Sequence, residues 1–204
     1  MSQVPLFVVA SLAALLSAPA LAGDFSDPTW PCVQRKVENL SLGLMWPYPV
    51  PEGELAPSFK PKADELVDTL VLRRVSMDQA EALIADFDTS NPSLTVDDHG
   101  LIFQAVFNDI NHDRSRLIEG ISRYSLHQID VAARIETTRK AIDAEMAKDD
   151  PDYDRADALE EKLHWDERIY HDRAQSLTYV CETPVLLEKR AYGIAQALTR
   201  FVKD

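Results

Sequence analysis

The chain is 204 residues long, is 46% hydrophobic, and sets 34 Asp and Glu against 21 Lys and Arg for a formal net charge of −13. That length suits one domain with a real core rather than several domains. The acidity argues against nucleic acid and against anionic membrane faces as partners.

The first stretch, 1–22, reads as a cleaved secretory signal peptide. Val4 to Leu16 is apolar but too short for a membrane span. It is followed by Ser17-Ala18-Pro19-Ala20-Leu21-Ala22, which ends in a small-x-small cleavage pattern. No Cys follows Gly23, where a lipid anchor would need one; Asp24 stands there instead. The expectation is therefore a periplasmic or secreted, soluble product with no membrane insertion after signal removal. Residues 1–22 carry no ionisable side chain, so the whole net charge belongs to the remaining chain.

Both cysteines, Cys32 and Cys181, lie in the exported part. In an oxidising compartment an even count predicts a bridge, and two cysteines allow one connectivity. A redox pair would want Cys-x-x-Cys spacing, which is absent. The stretch 23–61 holds seven of the twelve prolines, yet it also carries Phe25, Trp30, Trp46, Tyr48 and several leucines. Proline excludes a helix interior or central strand, and the apolar content excludes a disordered tail. It reads as an extended strap pinned by Trp30 and Trp46 and locked by Cys32, with a short helical turn near 33–40.

The rest, 62–204, reads as a single helical domain. Leu66, Val67, Leu70, Val71 and Val75 share one helical face over 62–75. Ser76 and Gln79 have capping-box spacing and start a second helix. Asn91-Pro92 marks a loop, after which Thr95 and Asp98 cap a long helix. Its opening is apolar nearly all round, from Leu101 to Ile110; farther on the stripe narrows to a seam through Leu117, Ile121, Tyr124, Val131, Ile135 and Ile142. Asp149-Asp150-Pro151-Asp152 turns the chain back. The returning seam runs through Leu163, Asp166, Tyr170, Arg173 and Leu177, and Pro184 is expected to kink it or restart a C-terminal helix capped by Thr183. The fold class expected is all-α: a long antiparallel, coiled-coil-like hairpin, packed at its base by two shorter helices and a C-terminal helix. Its arm, about 125–172, has only a two-helix seam and is expected to project.

No catalytic signature is present: no Gly-x-Ser-x-Gly, His-Glu-x-x-His, phosphate loop or Gly-x-Gly-x-x-Gly. Glu160, His164, Glu167 and His171 are spaced 4, 3 and 4, which places them on one helical face as in metal sites of helical bundles. A divalent transition metal would be their ligand, with His127 and Asp130 at the same level of the facing helix. They sit beside the seam rather than on it, however, and an exposed charged face is the plainer reading. Asp109, His112 and Asp113, and Asp97, Asp98 and His99, form two smaller acidic–histidine groups. Asp166 and Arg173 fall on the seam near Gln128 and Arg134, where polar groups fix register. Tyr124, Tyr170 and Tyr179 are expected in the core.

The architecture resembles that of small exported helical proteins such as periplasmic chaperones and envelope accessory factors, a likeness that licenses no function by itself. The function expected is a non-enzymatic exported factor, binding, accessory or scaffold in kind. It would meet a protein partner in the periplasm or cell envelope through its hairpin arm. The alternative is a metal-binding helical protein that uses the Glu/His face.

Overall fold

The computed structural model describes residues 27–202, so the signal-peptide stretch lies outside the described residues. Every α-helix and 3-10 turn follows one order: a 3-10 turn at Leu42–Leu44, α1 (Lys60–Leu70), α2 (Met77–Ser90), α3 (Val96–Met146) and α4 (Tyr153–Thr199). The protein is all-helical, and α3 packs against α4 along an antiparallel hairpin. At 1.5 Å per residue the 51 residues of α3 extend about 75 Å.

The helix starts follow from their caps. Ser76 and Gln79 form a reciprocal capping box at α2, and Thr95 and Asp98 do the same at α3. Each box satisfies two amide donors that a helix start leaves open. Asp152 opens α4 by accepting from the Arg155 amide at 3.1 Å.

Three boundaries depart from the sequence expectation. Helix α1 ends at Leu70, not at 75, because the side chain of Arg190 takes up the carbonyls of Leu70 and Val75 at 2.7 Å each. The stretch 33–40 is not helical; the strap's turn sits later, at Leu42–Leu44. Pro184 neither ends nor restarts a helix, since α4 runs through it to Thr199. Proline removes one hydrogen bond to the Val180 carbonyl. Its ring is buried between Cys181, fixed by a disulfide, and Leu187 in the main core, so tertiary packing holds the segment helical.

The main core lies at the base of the hairpin. Leu66, Val67 and Leu70 of α1, Ala80 and Ile84 of α2, Ile102 to Ile110 of α3 and Leu187 to Leu198 of α4 form one cluster. The strap runs antiparallel to α3 along this base. Trp46 stacks on Phe103 with ring centroids 5.5 Å apart. Gly100 makes room for it: a β-carbon there would lie 3.3 Å from the Trp46 indole nitrogen. Farther up, the Leu40 amide donates to Asn111 Oδ1 at 3.0 Å and Arg114 Nη1 donates to the Val37 carbonyl at 2.6 Å. Next, Cys32 bonds to Cys181 over Ile121, and Ser125 Oγ donates to the Pro28 carbonyl at 2.7 Å. The disulfide closes a loop of 149 residues, a cross-link of order 5 kcal/mol in the chain-entropy model.

Candidate functional site

Beyond Ser125 the strap is finished, and the side-chain bonds of the described residues join α3 only to α4 or to the turn between them. The 21 residues from Ser125 to Met146 extend this two-helix arm by roughly 30 Å. Its seam is thin: Val131, Ile135, Thr138 and Ala156 are buried, interrupted by polar groups. Asp166 is buried and accepts from Arg134 Nη2 at 3.4 Å, while its Oδ2 has no partner. Gln128 donates to the Tyr124 hydroxyl at 3.4 Å. Burial raises the pKa of Tyr124, opposed by the nearby Arg173 charge and the Gln128 hydrogen bond. These are the seam polar residues expected from sequence, and they meet across the hairpin. Tyr179 does not join them; it is 77% exposed, one position off the buried stripe that carries Cys181.

The tip is built around Glu145. Its buried carboxylate accepts from Lys148 Nζ at 2.7 Å, from the Asp152 amide at 3.3 Å and from Arg155 Nε at 3.3 Å. The Lys148 hydrogen bond, then the Asp152 amide and both cationic charges, hold its pKa below the usual carboxylate range against the effect of burial.

On the flank of α4, Trp165 stands 56% exposed with the Arg168 guanidinium 4.8 Å over its ring. Together with Ala158, Glu161, Lys162 and His164 these side chains line a shallow groove. An indole and an arginine are the residue types that most often carry binding energy at protein interfaces. The sequence reading passed over Trp165. Its signal was its position, a large aromatic between the seam residues Leu163 and Asp166, facing the wrong way to be core.

The four Glu/His residues are less well placed for a ligand. Glu167 is engaged by Arg139 across the hairpin. His164 lines the Trp165 groove, whereas His171 lines a different one with Arg139, Glu167 and Tyr170. Among the described residues no group of three or more His, Cys, Asp or Glu side chains is placed to hold a metal. Glu160, His127 and Asp130 are exposed, as are Asp109, His112 and Asp113. In the remaining group, Asp98 is spent on the cap of α3, and His99 is a buried link between helices. Its Nδ1 lies 2.8 Å from the Thr95 carbonyl and its Nε2 3.2 Å from Asp88 of α2.

The fold and this arm define a strapped helical hairpin. No family model, curated protein or solved structure gives a significant match to the chain. No helix among the described residues is long and apolar enough to cross a membrane.

Proposed function

We propose that this is an exported, non-enzymatic binding or scaffold factor whose hairpin arm engages a protein partner in the periplasm or cell envelope. The observation that carries the reading is the exposed Trp165–Arg168 pair on an arm that no other element covers. A free-standing two-helix arm contributes little to folding the base, since the main core ends at Leu117 and Leu187. Its exposed aromatic groove costs solubility and gains nothing for stability, which fits a contact surface. Export is supported by the small-x-small signal and by the Cys32–Cys181 bond, which suits an oxidising compartment.

The test is cross-linking followed by affinity purification from the native envelope. The intact chain is compared with one in which residues 129–168 are replaced by a short glycine turn. The shortened protein should keep its helical base and disulfide but lose its captured partner. Undiminished capture of the same partner would end the proposal.

A further inference from the structure

On the other side of the hairpin's root, where α3 and α4 leave the base, lies a cleft of about 510 Å³. Small-molecule sites commonly occupy about 300–1,000 Å³. Arg116 and Arg123 reach it from successive turns of α3, and Arg73 from the loop between α1 and α2. Thr183 of α4 adds a hydroxyl, and Leu117 and Leu187 supply the apolar lining. Three guanidinium groups gathered in one cleft run against the charge of the chain, whose net value is −13.

Their neighbours do not use them up. Asp113 and Glu119 also line the cleft, so the arginines remain in excess by one charge. Glu119 pairs with Arg123 at 3.6 Å, but both are exposed and such a pair is weak. The arginine ion pairs among the described residues involve Arg114, Arg123, Arg134, Arg139, Arg155 and Arg200, and neither Arg73 nor Arg116. The loop that carries Arg73 is also not left free. Buried Arg190 bonds the carbonyls of Leu70 and Val75 on either side of it, which fixes that lip of the cleft against α4.

We infer that this cleft is a binding site for a small oxyanion, a phosphate ester or a carboxylate, bearing a short apolar group. Guanidinium forks match both headgroups through paired N–H donors. The Thr183 hydroxyl offers one more donor, and Leu117 and Leu187 take the apolar portion. The assignment does not rest on the arm or on any partner protein.

The test titrates the whole, disulfide-bonded chain with phenyl phosphate, benzoate and inorganic phosphate at constant ionic strength, followed by calorimetry and by amide NMR shifts. Saturable binding of phenyl phosphate or benzoate, with shifts centred on residues 113–123 and 183–187, is expected, and the tighter of the two identifies the headgroup. Inorganic phosphate, which lacks the apolar group, should bind more weakly. Arg73→Gln and Arg116→Gln should each weaken binding about tenfold, the scale of one charge-assisted hydrogen bond. Arg74→Gln, exposed on the same loop but outside the cleft, should change nothing. Unaltered amide spectra away from the cleft establish that each variant is folded. Binding that never saturates, that survives both cleft substitutions, or that falls equally with Arg74→Gln would overturn the site.

Discussion

Arg190 donates from Nε to the Leu70 carbonyl and from Nη1 to the Val75 carbonyl, each at 2.7 Å, across 120 and 115 residues of sequence. No carboxylate stands opposite it among the described ion pairs, so a buried guanidinium is held by backbone oxygens alone. Burial lowers its pKa from the ordinary arginine value. Leu70 is the last residue of α1, where carbonyls are open and partial negative charge gathers. Arg190→Met should therefore cost about 3 kcal/mol, since it strands two buried acceptors. Arg190→Lys should recover less than half of that, because one ammonium cannot span both carbonyls. Denaturant titrations of the three proteins measure it; full recovery by lysine would show that charge alone matters.

A second prediction concerns the arm's seam. Asp166 is 7% exposed and one of its oxygens has no partner, while Arg134 opposite is half exposed. The carboxylate carries most of the desolvation cost and recovers only one long hydrogen bond, so the pair is a poor source of stability. Asp166→Leu should leave the melting temperature unchanged or raise it. Arg134→Leu, which strands the buried charge, should cost about 1–2 kcal/mol. If the polar pair sets register, Asp166→Leu should also loosen the hairpin's alignment, visible as lower amide-exchange protection through Val131–Ile135. A fall in melting temperature for Asp166→Leu would reverse the assignment.

Much of this fold could be read from the residues, and the reasons differ by element. Ser76–Gln79 and Thr95–Asp98 announced their helix starts because capping is local chemistry, complete within four residues. The disulfide followed from two cysteines allowing one pairing. Pro184 misled because its local rule is real but was outweighed by burial against Cys181 and Leu187, which no local window contains. Arg190 and Arg114 were illegible for the same reason. Their partners, Leu70, Val75 and Val37, are backbone carbonyls more than 75 residues away, and any residue type offers one. At the candidate site the Glu160–His171 spacing was legible, but spacing along one helix does not bring side chains to a common point. Arg73, Arg116 and Arg123 converge through tertiary structure only.

At the hairpin tip the prediction is a dependence on pH. The pKa of Glu145 is lowered in the folded protein, chiefly by its hydrogen bond from Lys148. A group lowered on folding contributes stability above its unfolded value and loses it as pH falls through the folded one. The tip should thus be ordered at neutral pH and loosen as pH drops below the usual carboxylate range, ahead of the strapped base. Exchange of the Asp152 amide, which donates to Glu145 Oε1, reports it directly. Glu145→Gln should remove the dependence there. A tip that melts only together with the base would refute the proposed order.

The last prediction separates contact from stability at Trp165. With more than half of its surface in water, the indole contributes little to folding beyond its contact with Arg168, which at an exposed site is worth about 0.5–1 kcal/mol. Trp165→Ala should shift the unfolding free energy by no more than that. As the centre of an interface it should weaken partner capture by at least about tenfold, the scale on which buried tryptophan anchors act. Arg168→Ala should weaken capture as well. Leu126→Ala, equally exposed but on α3, provides the control and should leave capture intact. Equal losses from Trp165→Ala and Leu126→Ala would mean that the arm is held by general apolar contact, with no anchor at the groove.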